Sequence, residues 1–232
     1  MLENTIQYTV VRVEKETHDV FRLGLAPEGG LLSYVAGQVI TIYYPEVSKN
    51  KGKEYSISSA PSENCFEITV KRVGVFSEMI TSKKPGDIII GSLPYGYFYT
   101  ESEVSDLVFL AGGIGVVPFM SIIVETFKLN PTRKISLFYS NKNLKDIVFK
   151  SKLDNLVKLH KSNFHVFYYL TKEVSCEADT KSGRISVQDV LQYCNNETEL
   201  FLCGSSGFVS SYYRALVQNN TSEQNIFTEE FS

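Results

Sequence analysis

The sequence predicts two domains of different class: an N-terminal antiparallel β-barrel over residues 1–102, then an α/β domain with a doubly wound parallel sheet over residues 103–232. Three observations point there. The chain has 232 residues, room for two compact domains at roughly 100–200 residues each. Up to about residue 100, short alternating segments are separated by turn clusters, the pattern of antiparallel strands. After Glu101-Ser102-Glu103, short apolar runs alternate with helical stretches, which is the rhythm of a parallel sheet with crossover helices.

In the first half, alternating segments cover residues 5–14, 20–25, 38–44, 54–58, 66–73 and 87–93. Between them stand Pro27-Glu28-Gly29-Gly30, Ser48-Lys49-Asn50-Lys51-Gly52 and Lys83-Lys84-Pro85-Gly86, each rich in turn-forming residues. One brief helix is expected at 77–82. Six short strands with so little helix suggest a small barrel. In the second half, residues 107–111, 134–139, 164–170 and 199–203 read as buried parallel strands. Helices are expected near 116–127, 144–160, 186–194 and 208–218. No Gly/Ser linker separates the halves, so they are expected to pack together with a cleft between them.

Composition narrows the function classes. Hydrophobic residues make up 43% and charged residues 21%, which excludes a disordered or repetitive chain. With 23 basic and 26 acidic residues the net charge is −3, giving no electrostatic basis for a nucleic-acid partner. No run approaches the ~18–20 apolar residues that span a bilayer. The start, MLENTIQYTVVRVEKE, lacks the basic and apolar blocks of a secretion signal. A cytoplasmic protein without a membrane partner is expected. Cys65, Cys176, Cys194 and Cys203 are separated by 111, 18 and 9 residues, so no zinc or iron–sulfur spacing exists. The three histidines form no paired-ligand motif either, and no metal is expected. Gly204-Ser205-Ser206-Gly207 has the wrong spacing for a nucleophile elbow. Any catalysis would therefore draw on an organic cofactor.

The string Asp106-Leu-Val-Phe-Leu-Ala-Gly-Gly-Ile-Gly-Val-Val-Pro118 is a strand running through a glycine turn into a helix. Gly112, Gly113 and Gly115 let the backbone bend tightly and approach a ligand. The following helix offers free N–H groups and a positive dipole end to an anion, and Pro118 is tolerated in its first turn. A diphosphate is the expected occupant. A tight strand–helix turn with no ligand is the competing reading of this segment alone. The spacing departs from G-x-G-x-x-G, and no ribose-binding acid stands at the usual distance.

Further segments carry a resemblance. Lys53-Glu54-Tyr55-Ser56-Ile57-Ser58-Ser59 resembles the R-x-Y-S-x-x-S motif of the ferredoxin–NADP reductase family of flavoproteins. Gly74-Val75-Phe76-Ser77 resembles that family's second flavin segment, G-x-x-S. The glycine turn is similar to its G-G-x-G-x-x-P nucleotide turn, and Phe201-Leu202-Cys203-Gly204 to its C-G motif. Their order and spacing agree with the barrel-then-α/β layout, so the resemblance spans essentially the whole chain.

The resemblance implies a role for each matching position. Lys53 stands where the family has arginine and supplies a point charge instead of a two-pronged fork. Tyr55 would lay its ring on the isoalloxazine, and Ser56 would place its hydroxyl at flavin N5. Val70 would end the apolar run 66–70 beside the cofactor, and Lys71 and Arg72, which follow it, would share its phosphate charge. Gly74, Val75, Phe76 and Ser77 would border the diphosphate, Ser77 as N-cap of the short helix. Gly112, Gly113, Gly115, Pro118 and Gly204 would hold the nucleotide. Cys203 would lie beside the nicotinamide carbon that gives up hydride, not as a nucleophile, since nothing near it lowers its pKa. Phe231 would cover the open flavin face until nicotinamide displaces it, with Glu229 or Glu230 nearby. Ser56, Cys203 and Phe231 are thus the catalytic candidates. Lys142, with Lys145, follows the second parallel strand where the family reads the 2′-phosphate, which favours NADPH slightly over NADH.

By the same resemblance the cofactor is FAD in preference to FMN, NAD(P)H is the co-substrate, and hydride passes to flavin N5. No cysteine-rich ferredoxin segment stands at either end of the sequence, so electrons are expected to leave to a separate ferredoxin, flavodoxin or oxygenase component. Two alternatives stand beside this: a reductase of free flavin, and a non-catalytic redox-sensing module of the same fold.

Overall fold

In the computed structural model, residues 5–44, 52–174 and 179–231 are described. The predicted turn at 48–51, Cys176 and Ser232 lie outside them. The chain divides into two units, Met1–Tyr99 with Met120–Glu125, and Thr100–Phe119 with Thr126–Ser232.

Alternation of apolar and polar residues builds the first unit. Its strands are β1 (Thr5–Lys15), β2 (Val20–Pro27), β3 (Val39–Tyr43), β4 (Gly52–Ser56), β5 (Glu67–Lys71) and β6 (Ile88–Ser92), with helix α1 (Val75–Thr81) between the last two. They form one antiparallel sheet in the order β4-β3-β6-β1-β2-β5. The two edges meet: Ile57, just past β4, bridges Ile68 of β5, and Ser58 N donates to Glu67 O at 2.8 Å. The sheet thereby closes into the expected barrel, leaving no long edge unpaired. Tyr8, Val10, Leu23, Ile40, Ile42, Ile57 and Ile68 fill it, all fully buried. Outside, Glu67 is buried between Arg12 and Arg22, the latter also pairing with Glu14.

The second unit is α/β. Strands β7 (Leu107–Gly112), β8 (Ile135–Asn141), β9 (Phe164–Leu170), β10 (Thr180–Ser182), β11 (Glu199–Ser205) and β12 (Ile226–Phe231) lie in the order β10-β9-β8-β7-β11-β12. Every neighbouring pair is parallel. Helices α2 (Val116–Leu129), α3 (Lys150–Leu159), α4 (Val187–Leu191) and α5 (Ser206–Gln218) connect them. From β7 the chain winds outward through β8, β9 and β10, then returns to β11 on the other side. That reversal makes the carboxyl ends of β7 and β11 the switch point, where open α/β sheets bind ligands.

Two local expectations are corrected and one strand is added. The helix predicted over 144–160 is a single 3-10 turn at Leu144–Asp146, then α3. Between them Ile147, Val148 and Phe149 are buried in the core, Val148 N donates to the Tyr139 hydroxyl, and Phe149 adopts the left-handed φ of 62°. Burying three consecutive apolar residues requires leaving helical periodicity. The segment after Asn225 is a strand paired with β11 from Leu200↔Ile226 to Ser205↔Phe231. The helix predicted over 186–194 is only the short α4, capped by the Ser186 hydroxyl accepting from Asp189 N. No helix among the described residues is long and apolar enough to cross a membrane.

Candidate functional site

In the second unit, Ala111 and Cys203 are register partners, so the glycine turn after β7 and the Cys203-Gly204 pair after β11 lie side by side. The glycines divide their tasks. A Cβ on Gly115 would collide with the Cys203 carbonyl and stand 2.8 Å from Gly204 N, and one on Gly112 would stand 2.9 Å from the Phe208 ring. These two are glycine because backbone and ring press on them. Gly113 differs: its φ is +55°, and a Cβ there would meet nothing within 4 Å. Of the three glycines read as ligand-facing, only Gly113 faces open space. Pro118 is buried at the third position of α2, where its missing N–H costs no bond.

Sequence reasoning missed a second feature of this end. Ser205 ends β11 and caps α5, its hydroxyl accepting from Phe208 N at 3.4 Å. Helices of 14 and 13 residues therefore both start at the switch point, and neither has an acidic residue in its first turn. Their positive ends are uncompensated, which suits a polyanion. The sequence carries a signal for this cap, a serine directly before an amphipathic run.

Cys203 is fully buried, and burial followed by the charge of Glu229 pushes its thiol well above the ordinary range. It is a neutral thiol at pH 7, in line with its exclusion as a nucleophile. Of the two carboxylates left open by the sequence, Glu229 is the β12 register partner of Cys203 and half-buried, while Glu230 is exposed. Phe231 is half-buried at the end of β12, opposite Ser205. Lys142 and Lys145 are exposed just beyond β8. Two carboxylates meet this turn: Leu144 N donates to Oε2 of Glu173, which follows β9, at 2.8 Å, and the Asn143 side-chain amide donates to Asp146 Oδ2 at 2.9 Å.

In the first unit, β4 carries Lys53, Tyr55 and Ser56. Lys53 is exposed; Tyr55 is half-buried against the barrel core, and burial pushes its phenol up to about 12. Ser56 is only 3% exposed, and its hydroxyl has no hydrogen-bond partner among the described residues. Its neighbours differ. Ser58 Oγ accepts from the Thr69 hydroxyl at 2.9 Å, and Ser59 Oγ accepts from Glu67 N at 3.0 Å. Barrel closure satisfies those two and leaves Ser56 alone. A buried hydroxyl without a partner costs roughly 1–3 kcal/mol.

Other predicted contacts fall differently. Val70 is buried in the barrel core. Lys71 pairs with Asp19 at 3.4 Å. Arg72 donates to the Thr81 hydroxyl at 2.7 Å and lies over the Phe21 ring, tying strand to helix. Gly74, not Ser77, is the N-cap of α1; Ser77 is its third residue, with its hydroxyl accepting from Val73 N and Gly74 N and donating to Gly74 O. The correction follows from reach: a hydroxyl inside the first turn folds back onto the N–H groups before it. Phe76 packs edge-on against Tyr44, while Gly74 and Val75 are exposed.

Comparison with known proteins agrees on both units. Residues 7–99 match the family model described as oxidoreductase FAD-binding domain, and 109–214 that described as oxidoreductase NAD-binding domain. The chain is 27% identical over 228 residues to the flavohemoprotein of Candida norvegensis, covering 93% of this chain and 55% of that protein. It is 30% identical over 208 residues to NADH-cytochrome b5 reductase 1 of Candida albicans, covering 86% and 70%. It thus spans little more than half the length of the flavohemoprotein it matches. A crystal structure of a ferredoxin NADP+ reductase from Neisseria gonorrhoeae with bound FAD and NADP superposes with a TM-score of 0.82 at 20% identity, over 98% of both chains, which shows a shared fold. Taken with the two domain models, these matches show that the chain belongs to the ferredoxin–NADP reductase-like family of NAD(P)H-dependent flavoprotein oxidoreductases.

Proposed function

We propose that the chain is an NAD(P)H-dependent reductase that holds FAD on its barrel, holds the nicotinamide nucleotide at the switch point of its parallel sheet, and passes electrons to a separate acceptor. When bound, FAD supplies the chemistry, accepting hydride at N5 and releasing electrons to the acceptor. The observation that carries this reading is the buried, partnerless hydroxyl of Ser56, on the strand whose family model binds FAD. Ser56 would offer that hydroxyl to the flavin ring edge, and Tyr55 would supply an aromatic face. The exposed backbone of 73–75 would meet the diphosphate, with Lys53 as nearby charge. Lys71 and Arg72 already have partners in the fold, so they would contribute less than the sequence suggests.

At the sheet, Gly113 and the starts of α2 and α5 would bind the dinucleotide's phosphates through backbone N–H groups. Cys203 would stay neutral and, with Glu229, border the nicotinamide. Phe231 would cover the flavin until the nicotinamide arrives. Carboxylates at the turn after β8 weigh against the slight preference for NADPH: Glu173 accepts from Leu144 N and Asp146 from the Asn143 amide, and a carboxylate there would accept from a ribose 2′-hydroxyl while repelling a 2′-phosphate. We therefore favour NADH. A haem-containing acceptor accords with the relatives' names, flavohemoprotein and cytochrome b5 reductase.

The experiment is a visible spectrum of the purified protein, followed by anaerobic titration with NADH and NADPH. A yellow preparation bleached by NADH at lower concentration than NADPH is the expected result. A colourless protein that stays inert after adding FAD would favour the non-catalytic alternative.

A further inference from the structure

A turn made of glycines has few side chains of its own to hold it, so its direction must be set by neighbours. Gly113 takes the open position, with φ +55° and nothing within 4 Å of a Cβ. Gly112 and Gly204 are a different case. Neither has a positive φ, and Gly112 sits at φ −108° and ψ 107°, a conformation any residue adopts. What excludes a side chain at both is one ring. A Cβ on Gly112 would stand 2.9 Å from Phe208 Cγ, and one on Gly204 would stand 3.0 Å from Phe208 Cδ1. The Cβ on Gly204 would also stand 3.2 Å from the Gly112 Cα, so the two strand ends meet backbone to backbone with the ring against both.

Phe208 is itself held in place. It is the third residue of α5, and its N–H donates to the Ser205 hydroxyl at 3.4 Å. Its ring lies 4.7 Å from that of Tyr212, four residues on along the same helix face. The Tyr212 hydroxyl donates in turn to the Ile185 carbonyl at 3.1 Å, a buried bond. A strut of two rings therefore runs from the segment before α4 to the bare Cα atoms of Gly112 and Gly204. Phe208 is only half-buried on the core cluster it borders, so the ring serves the turn as well as the core.

We propose that Phe208 is a positioning residue for the nicotinamide nucleotide, a step that rests on the function proposed above. Its ring wedges the glycine turn and the Cys203-Gly204 end into one arrangement, so that the Gly113 N–H and the start of α5 keep their directions before any ligand arrives. Donors fixed in advance bind without first being ordered. Removing the wedge lowers affinity although the ring itself need touch no ligand.

The test uses the full chain and NAD+ as probe, since the oxidised nucleotide binds without reducing flavin. Phe208→Ala should weaken NAD+ about tenfold in isothermal titration calorimetry, and Phe208→Leu, which keeps a branched apolar group against both glycines, should recover most of that loss. The control is Phe167→Ala, which removes a ring half-buried on the same cluster and stacked on Phe138 at 4.9 Å; it should bind NAD+ as wild type does. Without ligand, the Gly113 amide signal of the ¹⁵N-labelled chain should move in Phe208→Ala and stay in Phe167→Ala. Gly112→Ala sets a methyl against the ring and should also weaken NAD+, whereas Gly112→Ala combined with Phe208→Ala gives that methyl room and should bind more tightly than Gly112→Ala alone. Wild-type protein that NAD+ does not saturate overturns the proposed function and this proposal with it. Saturation of wild type with Phe208→Ala unchanged, with Phe167→Ala equally weakened, or with the double variant no tighter than Gly112→Ala overturns the role of Phe208 alone. Should Phe208→Ala fail to fold, the comparison of Gly112→Ala with the double variant decides by the same criterion.

Discussion

Replacing Ser56 with alanine separates a structural role from a functional one, because the two predict opposite signs. The hydroxyl is 97% shielded and has no partner among the described residues. An unpaired buried hydroxyl costs the fold roughly 1–3 kcal/mol relative to an apolar surface. Removing one oxygen leaves only a small void, so the apoprotein of Ser56→Ala should be as stable as wild type or more stable by up to ~1 kcal/mol. If the hydroxyl bonds the flavin during reduction, losing one neutral donor raises the barrier by about 1.4–2.7 kcal/mol, a 10- to 100-fold slower reduction. Urea denaturation of the apoprotein and stopped-flow reduction of the FAD-loaded protein by NADH read the two quantities separately. A loss of more than ~1 kcal/mol in the apoprotein would mean that the hydroxyl already has a protein partner. Reduction at the wild-type rate would remove the role given to Ser56.

Four other predictions follow from single contacts. Gly113→Ala places a side chain at φ +55° in open space and should cost roughly 1–2 kcal/mol of strain, whereas Gly115→Ala drives a Cβ into the Cys203 backbone and should cost more than about 3 kcal/mol; thermal melts distinguish them, and equal costs would refute the division of labour. Arg133 is buried, with its guanidinium donating to the Ser105 carbonyl and pairing with Glu199, so Arg133→Met should lose about 3–5 kcal/mol, and adding Glu199→Gln should restore part of it in urea titrations. Burial and Glu229 push the Cys203 thiol up, so near pH 8.5, where an ordinary thiol is half ionised, iodoacetamide should spare Cys203 in the folded protein and label it after denaturation; mass spectrometry of the peptide decides. Glu173→Gln removes a carboxylate from the turn after β8 and should reduce the ratio of kcat/KM for NADH over NADPH several-fold; an unchanged ratio places the nucleotide preference elsewhere.

Much of the fold was legible because period and turn chemistry are local. Alternation through β1, β2 and β3 and the apolar runs of β7, β8, β9 and β11 are visible from neighbours in sequence alone. What escaped depends on partners far away in the chain. β12 is absent from the strands read in the sequence, since an edge strand shows its pairing only once β11 is beside it. In 56–59 the sequence offers three serines of identical chemistry, and only barrel closure decides that Ser58 and Ser59 find partners while Ser56 does not. The glycine turn was recognisable as a turn, but the reason for Gly115 lies in a carbonyl 88 residues later, on Cys203. Lys71 and Arg72 looked available to a phosphate because the sequence does not show Asp19 or Thr81 beside them.

The two ends of the parallel sheet handle charge by different means, and the difference bears on what each can tolerate. At the carboxyl end, the turn after β7 and the starts of α2 and α5 carry no acidic side chain, and the chain offers dipole ends and N–H groups. A ligand that arrives with several negative charges needs donors in fixed directions more than it needs counter-ions, and backbone donors cannot swing away or change protonation. Such a site depends on glycine geometry and is damaged by a methyl group. At the amino end the chain uses side chains instead: the buried Arg133 guanidinium with Glu199 and Asp106. Charges on side chains are altered by single substitutions with little effect on the backbone, so the charge at the amino end can be changed while the turn after β7 keeps its shape.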